Sequence, residues 1–175
     1  KRPIAVMIPN TKTASQYGLS EASIIYECNV EASMTRLMAI FEDWNNLEKI
    51  GNIRSCRDYF VYWAFEWDAV VVHYGGPFYI NDIISRNDTQ NIDCIDYSAA
   101  CFRDVAKNDY DNAFTSGESI QKAMDYYGYP EKYRDGYADE NHFMFASADA
   151  PNTLEDYTDA ISASKVDMAL AYPVT

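Results

Sequence analysis

Two arginines bracket a serine and a cysteine in Arg54-Ser55-Cys56-Arg57, inside the stretch IGNIRSCRDYF, in a chain with 27 acidic residues against 14 Lys plus Arg. A guanidinium offers a planar fork of donors that matches a carboxylate or phosphate, and free N–H groups at a helix start aim partial positive charge the same way. If a strand ends and a helix begins here, Arg54 and Arg57 make an anion site, with Ser55 as helix cap or as a further ligand donor. The alternative is internal: both arginines neutralise carboxylates such as Glu27 and Glu31, because buried carboxylates need such partners. Full pairing of that kind would leave no donor for a ligand.

Glu27 and Glu31 with Arg36 form a second candidate set. Two carboxylates with an arginine between them have separated pKa values, as general acid/base pairs require. The same alternation also describes any half-solvated strand. His73, near the end of the apolar run AVVVHYGG and just before Gly75-Gly76, is a third candidate, either as a catalytic or ligand-contacting imidazole or as a hydrogen-bonded core residue. His142 has no supporting motif and reads as structural.

A net charge of -13 and a pI near 4.4 argue against nucleic-acid and anionic-membrane partners, since the summed field repels polyphosphate and no basic patch overrides it. No apolar run approaches the roughly 20 residues needed to span a bilayer, so the chain reads as soluble. Cys28, Cys56, Cys94 and Cys101 lack the Cys-x-x-Cys spacing of zinc sites and redox pairs, and neither a metal nor a cofactor is expected. The Cys94 to Cys101 loop is short enough to close as a disulfide; free buried thiols are the other possibility. Gly-x-Ser-x-Gly, phosphate-loop, His-Glu-x-x-His and dinucleotide signatures are all missing.

The elements that must position these residues are legible in part. RPIAVMI, bounded by Pro3 and Pro9, predicts a buried strand. From Ser23 the text SIIYECNVEASMTRLMAIFED alternates with period two around Ala32-Ser33, which predicts a hairpin with Ile25, Glu27, Asn29 and Glu31 on one face and Tyr26, Cys28 and Val30 on the other. A two- or four-residue loop sets Arg36 opposite Asn29, diagonal to Glu27 and Glu31. IGNIRS predicts a short strand, RDYFVYWAFEWD a largely buried helix, AVVVHYGG a central strand, and Pro77 the first turn of the helix FYINDIISR. Residues 87–112 read as mostly loop. TSGESIQKAMDYYGYP predicts a helix capped by Thr115 and Glu118 and ended by Gly128, with Ile120, Ala123, Met124 and Tyr127 on one face. HFMFAS and KVDMALAYP read as late strands. Runs of strands interrupted by a few helices predict an α+β fold, and the length fits a single domain over 1–175.

Together the stretches RPIAVMIPN, GLSEASIIYE, VEASMTRLMAIFED, IGNIRSCRDYF, DAVVVHYGG and FTSGESI resemble the N-terminal domain of YerB-like bacterial lipoproteins, a family of unknown function. The resemblance implies a three-layer mixed α/β domain, extracytoplasmic and lipid-anchored on the outer side of the cytoplasmic membrane in the full-length protein, with a lipobox and a smaller C-terminal domain that this chain does not contain. The family's polar motif positions fall on Asn10, Glu27, Glu31, Thr35, Arg36, Arg54, Ser55, Arg57, His73, Gly75, Gly76 and Arg103. Three departures from the family pattern stand out: Ala32-Ser33 replaces a Gly-Gly turn, Cys56 an alanine, and Pro77 a serine after Gly75-Gly76, beside His73. Three functions are thereby open: an envelope-associated domain binding an anionic or sugar-bearing ligand, a hydrolase of cell-wall polymers using Glu27 or Glu31 with His73, and an interaction module using the 15 tyrosines. The oligomeric state is open.

Overall fold

Apolar residues occupy both faces of the first strand, and that fixes the layering. In the computed structural model, which describes residues 1–106, 111–137, 143, 146–151, 153 and 155–165, strand β1 (Ile4–Asn10) is fully buried from Ile4 to Ile8. A strand covered on two sides reads as an unbroken hydrophobic run. Its even-numbered residues pack with Ala39, Phe41, Val70, Val72, Trp44 and Ile92, and its odd-numbered ones with Met38, Ile40 and Val71.

β1 lies at the centre of a five-stranded sheet ordered β2-β3-β1-β5-β6. β2 (Ile24–Asn29) and β3 (Thr35–Phe41) form the expected hairpin, antiparallel to each other and to β1. β4 (Ile50–Gly51) leaves for a second sheet, and α1 (Asp58–Glu66) then leads to β5 (Val70–His73), parallel to β1. A 3-10 turn at Phe78–Ile80, starting from Pro77, continues into the short α2 (Asn81–Ile84). β6 (Asn91–Asp93) is parallel to β5. β7 (Phe102–Arg103) and β8 (Ala113–Thr115) complete a three-stranded sheet ordered β4-β8-β7, and α3 (Gly117–Tyr127) follows.

Phe60, Val61 and Ala64 of α1 and Ile83 of α2 seal one face of the large sheet, while Ile120, Ala123 and Met124 of α3 seal the other. The result is the α+β fold that the sequence predicts, with helices on both faces of the large sheet as the resemblance implies.

Four details differ from expectation. The hairpin bonds Val30 N–H to Met34 O across Glu31, Ala32 and Ser33, so an odd number of residues turns the chain. Parity flips, and Arg36 lies opposite Cys28 while Thr35 takes the place beside Asn29. Ala32 and Ser33 both adopt positive φ, 54° and 60°, where glycine would be at ease. In α3 the cap is Ser116, whose Oγ accepts from Ser119 N–H at 3.2 Å, whereas Thr115 ends β8 and donates its hydroxyl to Ala100 O. Residues 87–112 are not only loop, since β6 and β7 fall there. The expected late strands and His142 lie wholly or largely outside the described residues.

Cys94 and Cys101 form a disulfide, with Cα atoms 5.6 Å apart, and Cys28 and Cys56 are free thiols. The chain forms two units, residues 1–139 and 140–175. Among its described residues the second unit holds turns, such as that closed by Ala160 N–H on Tyr157 O, and no helix or strand.

Candidate functional site

After β1 the chain turns to β2 and β3 on one side of the sheet; after β5 it turns to β6 on the other. Adjacent parallel strands whose successors diverge open a crevice at their carboxyl ends, the usual ligand position in open sheets. The stretch around Arg54 fills that crevice. Pairing of β1 with β5 stops at Val6 and Val72. Beyond it Arg54 N–H donates to Met7 O, Tyr74 N–H to Arg54 O, and Cys56 N–H to Gly75 O. Arg54, Ser55 and Cys56 thus form a wedge joined to both strands just before α1.

The two arginines of the wedge have carboxylate partners. Arg57 donates from Nε to Glu31 Oε1 at 2.7 Å and from Nη2 to Glu31 Oε2, and its Nη1 bonds Cys56 O and Ser55 O. Burial works against its charge, but the bonds to Glu31 outweigh this and hold its pKa above the ordinary value. Those bonds in turn hold the Glu31 carboxyl below its usual range. Arg54 donates to Asp111 Oδ1 at 3.1 Å; this buried aspartate also accepts from Asn52 Nδ2 and Thr13 Oγ1. The internal role considered for Arg54 and Arg57 is therefore present, with Asp111 as an acceptor that the sequence did not single out.

Arg36 is placed differently. The flipped hairpin register turns it toward the wedge, where Nη1 donates to Ser55 O at 2.6 Å. Its buried Nε has no hydrogen-bond partner among the described residues. Burial, then repulsion from Arg57 and Arg54, lowers its pKa to about 10. Among the described residues, three guanidiniums thus lie near the carboxylates Glu31 and Asp111. Ser55 does not cap α1, whose N-cap is Arg57 without a side-chain bond, and its Oγ has no partner among the described residues.

The remaining candidates divide into separate groups. Glu27 Oε1 accepts from Thr35 Oγ1 at 2.6 Å and Asn10 Nδ2 at 2.9 Å, an exposed network at the carboxyl end of β1. His73 is buried, with Nδ1 2.9 Å from Gly75 O and Nε2 3.1 Å from Asn91 Oδ1. Among the described residues, Glu27, Glu31 and His73 are held by three different sets of partners. Gly75 has φ +63°, and its N–H donates to Asp93 Oδ1. A Cβ on Gly76 would meet Ile80 Cδ1 at 2.2 Å, so that glycine allows a close approach. Arg103 lies over the Tyr74 ring at 5.2 Å and donates to Tyr74 Oη and Asn112 Oδ1.

This arrangement occurs within a sequence that matches a known family. Residues 1–130 match the family described as "Protein of unknown function (DUF3048) N-terminal domain". The chain belongs to this family.

The DUF3048 match is accompanied by a curated relative, the Bacillus subtilis (strain 168) protein named "Putative lipoprotein YerB", 31% identical over 160 residues. The alignment covers 90% of this chain and 46% of the relative, so the chain spans just under half the relative's length. The crystal structure of the Bacillus subtilis YerB protein superposes with a TM-score of 0.70 at 30% identity, covering 74% of this chain and 45% of that one. In this DUF3048 domain the wedge cysteine, Cys56, is fully buried, and burial pushes its thiol up to about 12. At neutral pH it is an inert space-filling group. Among the described residues no cluster of His, Cys, Asp and Glu is arranged to hold a metal ion.

Proposed function

We propose that this DUF3048 domain is an extracytoplasmic binding domain that holds the negative group of an anionic or carbohydrate ligand at Arg36. One observation carries it: a guanidinium beside the wedge, held near Arg54 and Arg57, whose buried Nε has no partner among the described residues, within a protein of net charge -13. An unmet buried donor is costly, and an anion satisfies both the hydrogen bond and the charge. Arg54 and Arg57, held by Asp111 and Glu31, supply field and rigidity, and Ser55 Oγ supplies a neighbouring donor. The Cys94–Cys101 disulfide suits an oxidising compartment. With the relative's name as a lipoprotein, it supports a lipid-anchored position on the outer side of the cytoplasmic membrane.

The test is a thermal-shift titration of wild type and Arg36→Met with phosphate, sulfate and acidic sugars. A ligand at about 100 times its Kd stabilises by about 2.7 kcal/mol, or about 5–11 °C for a domain of this length. That shift is expected in the wild type alone. Equal shifts in both proteins, or none in either, would refute the Arg36 site.

A second reading has its own observation. Tyr97 stacks on Tyr126 at 4.5 Å and Tyr127 on Tyr129 at 5.3 Å, with Tyr126 67% exposed, and the paired state of Arg54 and Arg57 fits an interaction module that recognises partners through tyrosines. Absence of any anion-induced shift, with Tyr126→Ala abolishing a pull-down from envelope extract that Arg36→Met leaves intact, would favour it.

A further inference from the structure

The loop that follows β5 sets two exposed aromatic rings beside the wedge. Phe78 is 85% exposed and Tyr79 51%, and the rings lie edge to face with centroids 6.0 Å apart. We infer, on the footing that Arg36 holds the negative group, that Phe78 and Tyr79 are the specificity-determining wall of that site and that its ligand is a sugar ring bearing a carboxylate, not a small free anion.

Two successive carbonyls of the wedge fix where the wall stands. Arg36 donates to Ser55 O, Arg57 Nη1 donates to both Ser55 O and Cys56 O, and a Cβ on Gly76 would lie 3.3 Å from Cys56 O. The backbone of Gly76 thus passes against the carbonyl next to the one that Arg36 holds. Cys56 N–H donates to Gly75 O, and Ile80 is buried in the same apolar cluster as Cys56, so the loop 75–80 is anchored to the wedge at both ends. Phe78 and Tyr79 stand out between the anchors. The Tyr79 phenol is near enough to act electrostatically on Arg57 and Tyr59, as Tyr59 does on Arg36.

The chemistry of the wall selects the ligand. Exposed aromatic rings offer apolar area to the C–H face of a pyranose. Tyr79 Oη and Ser55 Oγ have no hydrogen-bond partner among the described residues, and each can donate to or accept from a ring hydroxyl. A small anion would use neither the rings nor the hydroxyls, and an aryl acid would use the rings alone. The surroundings are arranged in advance: Tyr59 Oη donates to Asn29 O at 2.7 Å, its ring packs on Phe60 at 4.7 Å, and Pro77 holds its φ at -69° at the entry to the Phe78 turn. A wall held in place before the ligand arrives removes much of the ordering cost of binding.

The test measures Kd by calorimetry for D-glucuronate, with acetate, benzoate and D-glucose as controls. Wild type should bind glucuronate at least tenfold more tightly than each control. Phe78→Ser/Tyr79→Ser, at exposed positions and so compatible with folding, should raise the glucuronate Kd at least tenfold and leave the acetate Kd unchanged. Tyr79→Phe, which removes one hydroxyl, should raise the glucuronate Kd by less. Arg36→Met should abolish binding of both acids. Acetate or benzoate bound as tightly as glucuronate, or a glucuronate Kd that the double substitution leaves unchanged, overturns the sugar wall, and Arg36 stands as an anion site where Arg36→Met still abolishes binding. No acid bound by the wild type, or glucuronate bound equally by Arg36→Met, overturns the wall and the Arg36 site together.

Discussion

Opening the Cys94–Cys101 disulfide is the perturbation whose size follows most directly from the structure. The two cysteines are 7 residues apart in sequence and join β6 to β7 around a 3-10 turn at Ser98–Ala100. In the chain-entropy account, closing a ring of about eight residues removes about 8 cal/mol/K from the unfolded ensemble, or about 2.5 kcal/mol at 25 °C. A domain of 150–250 residues moves by about 2–4 °C per kcal/mol. Reduction should therefore lower Tm by about 5–10 °C. The assay is thermal unfolding by circular dichroism, with and without a phosphine reductant, beside a thiol count that rises from two to four. Cys94→Ala/Cys101→Ala should melt at or somewhat below the reduced wild type, because Cys94 is buried and its truncation leaves a small void, and the reductant should not lower it further. A wild type whose Tm moves by less than about 1 °C once four thiols are counted would refute the ring-closure reasoning.

Asp68→Asn should cost about 3–5 kcal/mol, since it leaves the fully buried Arg2 without its 3.1 Å ion pair and weakens the hold on Arg134, while keeping the positive φ that asparagine tolerates; urea unfolding measures it. Ser116→Ala should cost about 1 kcal/mol through loss of the α3 cap, and Glu118→Gln distinctly less, because Glu118 and its partner Lys122 are both exposed. A loss from Glu118→Gln with none from Ser116→Ala would restore the capping box placed on Thr115 and Glu118. Glu31 has a folded pKa below its unfolded one, so its pairing with Arg57 is fully stabilising above about pH 5 and is lost as pH falls through the depressed value. With Glu31 more than half exposed, the contribution is at most about 1 kcal/mol, measured as the difference between wild type and Glu31→Gln in acid titrations of stability.

Strong periodicity made β1, the β2–β3 pair, α1, β5 and α3 readable, because each buries a face wide enough to mark the sequence. The hairpin register was not readable. It depends on whether the turn contains an odd or an even number of residues, and Ala32-Ser33 lacks the glycine or asparagine that would announce its backbone geometry. The same single-residue slip decides the site: it takes Arg36 away from the Glu27 side and brings it to Ser55. β6 escaped notice because three residues, Asn91-Ile92-Asp93, pair at a sheet edge inside a polar stretch and carry no period. Asp111 escaped for a related reason, since a lone aspartate in an irregular segment has no pattern, and only the fold brings it to Asn52 and Arg54.

The wedge at Arg54, Ser55 and Cys56 is spliced into the sheet through its backbone, with one joint at Met7 and two at Tyr74 and Gly75. What it demands of the sequence is therefore a fixed number of residues more than particular side chains. A substitution at Ser55 leaves every joint intact. One inserted or deleted residue moves Arg54 away from Met7 or Cys56 away from Gly75, unzips a strand end and carries α1 with it. Relatives with diverged side chains in this crevice should thus keep its spacing unchanged, and chain length there is the better guide to which of them share the site.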